Sequence, residues 1–335
     1  MSFLYHAFGL LLQSSRPIPG LYPASDKKAA ADVFIDFEKN SSNNCLNLSK
    51  SLWYESPKDQ MGQILRVWRL GEDQYFLFHY SDGTRFLIDR SGKHVTASWS
   101  DMLTFEDMAT YLIGPILGFI LRLHGVVCLH ASAIVINSLA VAILLPSGYG
   151  KSTTAAAFAK RGYPVLSDDI VAITDQGKSF QVEPAFPRLQ LWPSSVKALF
   201  GQGDALPRIT PENPYWDKRY LDLCRDNYRF QSSPLRLAAV YTGKHADAKD
   251  IPRIDTFSAH EGFIALIANT YSSGLLDKKM RALEFDVLSR LAASVPVKCL
   301  KSQKNLIDLN QTCDLVLDDV LGFLTSINSP EHEKQ

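Results

Sequence analysis

The chain has 335 residues, 46% of them hydrophobic, with 35 Lys and Arg balanced by 35 Asp and Glu. That apolar content excludes an intrinsically disordered chain, and the length is enough for two domains with their own cores. A formal net charge of +0 gives no electrostatic reason to expect a nucleic-acid or membrane partner, and five cysteines scattered without metal-ligand spacing suit a reducing, cytoplasmic compartment.

The opening residues carry neither a positively charged start nor a small-residue cleavage pattern, so no signal peptide is expected. Leu4 to Leu12, Ala31 to Phe37, Ile64 to Leu70, Tyr75 to Tyr80, Arg85 to Asp89 and His94 to Trp99 read as short strands. Asp82-Gly83 and Ser91-Gly92 mark tight turns between them. The expectation is an antiparallel meander forming a β-rich N-terminal domain over 1–103. Thr104 then caps a helix with Asp107 in its first turn, running to about Leu123 as the bridge into an α/β domain over 104–335. Tyr111 to Leu121 is too short to cross about 30 Å of hydrocarbon, and Val126 to Leu145 is interrupted by His130, Ser132, Asn137 and Ser138.

Val126 to Ile136 and Leu139 to Leu145 read as a hairpin of two buried strands turning at Asn137-Ser138. His130 is a titratable side chain inside that apolar run. It is either a satisfied core residue or, beside a phosphate-binding strand, a partner for an active-site carboxylate. Pro146-Ser147-Gly148-Tyr149-Gly150-Lys151-Ser152-Thr153 follows at once, and an Ala-rich helical segment follows that. Strand, glycine loop, helix is the context in which backbone N–H groups from Ser147 to Thr153 converge on a polyanion. Lys151 would then reach the terminal phosphates and Ser152 would hold Mg²⁺.

The first position of the usual phosphate-loop pattern is Leu145 rather than Gly. Pro146 pushes its predecessor into the extended region, where Leu is comfortable. The helix is expected to end at Lys160-Arg161-Gly162, and Tyr163 to Leu166 is an extended segment delivering Ser167-Asp168-Asp169. An isolated Asp-Asp pair reads as a solvated turn. At the end of a strand after a phosphate-loop helix, one carboxylate can hold the metal ion and the other can take a proton from an attacking hydroxyl.

His130, Gly148-x-Gly150-Lys151-Ser152 and Asp168-Asp169, in that order and spacing, resemble the kinase domain of the HPr kinase/phosphorylase family. The resemblance implies a P-loop kinase fold with Asp169 as general base, Ser152 holding Mg²⁺, and His130 and Lys151 in the same site, which leaves Asp168 as the carboxylate for the metal ion. The family's downstream Glu-x-Arg-Gly-x-Gly signature, tied to its phosphorylase activity, is absent, so the reverse reaction is not implied. In its place stands Val182-Glu183-Pro184-Ala185-Phe186-Pro187-Arg188-Leu189-Gln190-Leu191-Trp192-Pro193. That segment looks like the HPr kinase-like proteins of ribosomal peptide gene clusters, among them lasso-peptide kinases that phosphorylate a serine of a precursor peptide. Tyr5-His6-Ala7-Phe8-Gly9-Leu10 and Pro17-Ile18-Pro19-Gly20-Leu21 look like the start of that branch.

Gly201 to Pro214, rich in Gly and Pro and containing Arg208, reads as a loop over the site or a linker. Lys218 and Arg219 in Trp216-Asp217-Lys218-Arg219-Tyr220 stand where a second phosphate or an acidic peptide could be contacted, though a solvated face is the plainer reading, and Arg236, at the start of a strand from Leu235 to Tyr241, is a weak candidate for a transition-state cation. Phe263 to Asn269, Leu276 to Ala293 and Leu315 to Leu324 read as helices and Val297 to Leu300 as a strand. The expected activity is transfer of the γ-phosphoryl group of ATP, with Mg²⁺, to a serine hydroxyl of a peptide or small protein. A small-metabolite kinase and a non-catalytic ATP sensor use the same residues. A homo-oligomer is left open.

Overall fold

The computed structural model describes residues 2–24, 30–38, 48–58, 62–146, 148, 150–245, 252–302 and 309–327. Its first sheet contains β1 (Phe3–Ala7), β2 (Leu10–Ser14), β3 (Val33–Phe37), β4 (Lys50–Glu55), β5 (Leu65–Leu70), β6 (Tyr75–Tyr80), β7 (Arg85–Asp89) and β8 (His94–Ser98). Their spatial order is β1-β2-β3-β8-β7-β6-β5-β4. From β4 to β8 every pair is antiparallel, as alternation and tight turns imply, whereas β2–β3 and β3–β8 are parallel. The purely antiparallel expectation is therefore corrected: side-chain alternation within a strand carries no information about the direction of its neighbour.

Two further local readings change. Leu4 to Leu12 is a hairpin rather than one strand, because Phe8 (φ 56°) and Gly9 (φ 78°) turn the chain between β1 and β2. A left-handed Phe costs about 1–2 kcal/mol. Burial of its ring edge-on to Phe186, 6.0 Å between centroids, and a bond from its N–H to the Pro184 carbonyl oppose that cost. The helix after Thr104 forms with the expected cap, Thr104 and Asp107 exchanging bonds in a capping box, but it is not continuous. α1 (Phe105–Tyr111) and α2 (Leu117–Leu123) are joined by a π-helical turn, Leu112–Ile116, that contains Pro115. Proline has no N–H to offer the helical ladder, and the ladder slips there.

The rest of the chain is mixed α/β. In order it holds β9 (Val127–Leu129), β10 (Ser132–Ile136), β11 (Leu139–Leu144), α3 (Lys151–Lys160), β12 (Val165–Ser167), β13 (Val171–Asp175) and β14 (Phe180–Val182). β15 (Arg188–Leu191), α4 (Pro193–Phe200), β16 (Arg219–Asp222), β17 (Leu235–His245), β18 (Arg253–Thr256), α5 (Ala259–Ala268), α6 (Lys278–Ser294), β19 (Val297–Ser302) and α7 (Leu309–Ile327) follow. The large sheet runs β12-β10-β11-β17-β14-β13-β9, with β19 pairing β17 and β18. β10 and β11 form the expected hairpin, Asn137 (φ 49°) and Ser138 (φ 61°) supplying its left-handed turn. The run from Val126 does not belong wholly to that hairpin. β9 pairs with β13, and the chain changes partners at His130-Ala131, so His130 stands between strands rather than inside one.

β11 is buried on both faces, which is why Leu139 to Leu145 is a continuous apolar run rather than an alternating one. Val141 and Ile143 pack with Phe158 of α3 and Val316 of α7, while Ala142 and Leu144 pack with Val287 and Leu291 of α6. A third core joins Phe76, Phe78 and Ile88 of the first sheet to Met108, Leu112 and Phe119 of α1, the π turn and α2, and reaches Ile170 and Phe186. Among the described residues, no helix is long and apolar enough to cross a membrane.

Candidate functional site

The loop between β11 and α3 is shaped by two glycines in the left-handed region, Gly148 (φ 80°) and Gly150 (φ 89°), the second preceding the first residue of α3. An L side chain at either position would cost about 1–2 kcal/mol. Leu145 stays out of that region, in line with the effect of Pro146. Ser147 and Tyr149, expected to donate backbone N–H groups, lie outside the described residues. Lys151 is almost fully buried and donates to the Leu145 carbonyl at 2.8 Å, folding its ammonium back over the loop. Burial pulls its pKa down, and the charges of Asp169 and Asp168 push it back up. Thr153 shares a 2.7 Å hydrogen bond with Ser195 of α4.

Where β12 ends, Ser167-Asp168-Asp169 leaves the strand as expected, and the two carboxylates take up different environments. Asp168 is buried: its Oδ1 accepts from the Ser152 hydroxyl at 2.9 Å and the Ser132 hydroxyl at 2.7 Å, and its Oδ2 from the Gln190 N–H at 3.0 Å. Burial raises its pKa, opposed by the Gln190 and Ser132 hydrogen bonds; the Asp169 charge raises it further and the Ser152 bond lowers it. Asp169 is open to solvent, its side chain 40% exposed, and its backbone is left-handed at φ 67°. Non-glycine residues in that region concentrate where structure positions a functional group, and Asp tolerates it better than most.

His130 fixes Asp169 from the other side. Its Nδ1 lies 3.0 Å from the Asp169 carbonyl oxygen and 3.3 Å from Oδ1. Both of those are acceptors, so Nδ1 carries the proton and Nε2 is left for solvent or ligand. The residue is anchored by its backbone N–H, which donates to the Asn269 carbonyl at 2.8 Å, and its ring is flanked by Tyr271, whose ring centre is 5.8 Å away. Tyr271 fits only because α2 has Gly118 there: a Cβ would stand 2.4 Å from its ring.

His130, Lys151, Ser152, Asp168 and Asp169 are thus brought together, with Gly148 and Gly150 shaping the loop beside them. Four other residues belong to the same constellation, and of these the sequence reading offers only Lys218 as a phosphate or peptide contact. Ser132 was only a polar interruption in an apolar strand, and Gln190 only part of the Pro184–Pro193 segment. Tyr271 carries no local signal. Lys218, read as part of a solvated face, instead approaches Gln190 Oε1 at 3.4 Å and contributes positive charge at Lys151. The neighbouring cations are engaged too: Arg208 and Arg219 both bind Asp217, at 2.7 and 2.8 Å. Arg236 is placed away from the site. It precedes Leu237, whose partner is Ala140, roughly 13 Å along β11 from the loop end.

The donor set fits Mg²⁺. Ser152 and Asp168 present hard oxygens side by side, and Mg²⁺ is ordinarily held by one or two such groups together with phosphate and water oxygens. Among the described residues, no group of three or more His, Cys, Asp and Glu side chains could form an all-protein metal cage.

No family model matches the chain, and no curated protein matches it. Among solved structures it is similar to the Hpr(Ser) kinase/phosphatase from Coxiella burnetii at 14% sequence identity, covering 61% of this chain and 99% of that one with a TM-score of 0.34. A likeness of that size assigns no activity, which has to be read from the site itself.

Proposed function

We propose that the protein is an ATP-dependent kinase that phosphorylates a serine hydroxyl of a peptide or small protein, ribosomal precursor peptides among the candidates. The observation that carries this reading is the division of labour between adjacent carboxylates: Asp168 is buried against the Ser152 hydroxyl at the start of α3, and Asp169 is exposed and held by His130. The first is a metal-and-phosphate arrangement and the second a base open to an acceptor.

In this reading the backbone N–H groups of residues 147–153, with the positive end of α3, cradle the β- and γ-phosphates. Lys151 leaves the Leu145 carbonyl for phosphate oxygens and stabilises charge on the transferring group. Ser152 and Asp168 hold Mg²⁺, which neutralises phosphate charge when bound. Asp169 accepts the acceptor proton as the serine oxygen forms its bond to phosphorus and the bond from the γ-phosphorus to the bridging oxygen breaks, releasing ADP. A positioned base of this kind contributes roughly 10²–10⁴-fold. His130, through Nδ1–H, keeps the Asp169 carboxylate aimed and is a positioning residue.

The test is single-turnover transfer from labelled ATP with Mg²⁺ to serine-containing peptides. Asp169→Asn is nearly isosteric and should keep nucleotide affinity within about twofold while losing transfer by at least the lower bound of that base contribution, roughly 100-fold. Normal turnover in Asp169→Asn would remove the base assignment. ATP binding without transfer to any peptide or small hydroxyl compound would favour the sensor instead.

A further inference from the structure

A cleft of about 960 Å³ opens beside Asp169. One wall is the first sheet and α1, with Tyr80, Asp82, Asp107 and Tyr111; the other is the 212–218 segment, with Glu212, Tyr215 and Trp216. Asp169, Gln190 and Lys218 line it as well, so the exposed carboxylate of the candidate site is part of the cleft surface. The volume is at the upper end of what small ligands occupy, about 300–1,000 Å³, and suits a short stretch of chain better than an isolated hydroxyl compound.

Its lining is lopsided in charge. Among the described residues, four carboxylates, Asp82, Asp107, Asp169 and Glu212, line it against one ammonium, Lys218. Asp82 and Asp107 are fixed by internal bonds, Asp82 accepting from the Tyr111 hydroxyl at 2.7 Å and Asp107 from Asn213 at 3.0 Å, so their negative ends are held in the walls. A cleft lined by one sign of charge focuses its potential and selects the opposite sign. Aromatic rings accompany the acids: Tyr80 and Tyr111 stack at 4.0 Å, and Tyr215 is 84% exposed. Acid with aromatic surface is the chemistry that receives a guanidinium or ammonium.

An independent observation points to a ligand. Tyr80 is only 6% exposed, lines the cleft, and its buried hydroxyl has no hydrogen-bond partner among the described residues. Buried hydroxyls are nearly always satisfied, so one left alone in a cleft wall marks a place for an incoming polar group.

We propose that this cleft receives the acceptor as a basic peptide segment, with a Lys or Arg near the reacting serine lodged among Asp82, Asp107 and Glu212 and bonded by the Tyr80 hydroxyl. The proposal rests on the kinase reading for the role of the serine, but the binding it describes is measured separately. The probes are fluorescein-labelled octapeptides with one central serine and flanks of Arg, Gln or Glu, titrated by anisotropy into the full chain with a non-hydrolysable ATP analogue. Transfer from ATP is followed in parallel.

The Arg-flanked peptide should bind about tenfold or more tighter than the Glu-flanked one, with the gap narrowing at high salt. Glu212 is exposed, and Glu212→Lys leaves three carboxylates against two ammonium groups in the described lining, so it should narrow the gap between the two peptides severalfold without reversing it. Tyr80→Phe should weaken the Arg-flanked peptide without lowering Tm, since it deletes a hydroxyl that bonds nothing in the free protein. Equal or reversed affinities in the parent protein, binding of none of the peptides, or an unchanged gap in Glu212→Lys would overturn the proposal. Charge-selective binding without phosphoryl transfer would leave the cleft assignment standing and remove the kinase reading. Transfer without charge preference would do the opposite.

Discussion

At the residue scale, the two buried charged groups of the site are held at a thermodynamic disadvantage in the free protein. Lys151 is desolvated and its pKa lowered by burial, with only carbonyl and carboxylate neighbours to compensate. Lys151→Met keeps the stem and removes the charge, so ATP affinity should fall by at least about tenfold while Tm stays level or rises. Calorimetric titration and thermal melting check the two halves. Asp168 is the opposite sign of the same effect, its pKa raised by burial above the ordinary carboxylate value. A raised folded-state pKa means the fold favours the protonated form. That contribution is fully present below the unfolded value, about 4, and is lost as pH rises through the raised one. Compared with Asp168→Asn in metal-free buffer, the parent protein should therefore lose relative Tm as pH rises from about 4. A difference independent of pH would contradict the assigned shift.

At the scale of elements, the site's geometry depends on a glycine well away from the phosphate loop in sequence. Gly118 lets Tyr271 lie against α2, and Tyr271 flanks His130, which holds Asp169. Gly118→Ala pushes a methyl into the ring, so overpacking should lower stability by about 1–3 kcal/mol, and displacement of His130 should lower kcat more than ATP affinity. Denaturant unfolding and steady-state kinetics on the same preparation separate the two effects. The legibility of the elements follows from range. The glycine loop, the Thr104 cap with Asp107 in the first turn, and the Asp82-Gly83, Ser91-Gly92 and Asn137-Ser138 turns are legible, because each is decided by residues within a few positions of one another. The π turn at Pro115 and the hairpin at Phe8-Gly9 were missed. Proline marks a break without saying how the ladder heals, and a left-handed Phe is tolerated only because Phe186 and Pro184 come from far along the chain.

Across the whole molecule, one buried ion pair ties the core beneath the first sheet to the helical layer on the large sheet. Arg122 of α2 and Glu284 of α6 are both nearly inaccessible and bonded to each other, and Arg122 Nε has no partner among the described residues. Breaking such a pair leaves a buried charge uncompensated, so Glu284→Ala should cost about 3–5 kcal/mol, whereas Arg122→Met with Glu284→Leu should recover much of that loss. Chemical denaturation of the single and double variants measures it. A single variant within about 0.5 kcal/mol of the parent would show that the pair is not what joins the two regions.

The sequence by itself determined the mixed α/β class, the strand–glycine loop–helix order around Lys151, the placement of Asp168-Asp169 at a strand end and His130 as a candidate partner for them. These are properties of local spacing and of backbone conformations that only certain residues adopt. Only the tertiary structure separated the two aspartates into one buried against Ser132, Ser152 and Gln190 and one exposed beside His130. It alone turned the parallel pairs in the first sheet, brought Lys218 and Tyr271 to the site, and set the acidic walls of the cleft opposite each other. Adjacent carboxylates are identical in sequence terms; burial, hydrogen bonding and the direction of a strand's neighbour arise from residues tens to hundreds of positions away, whose approach no local pattern encodes.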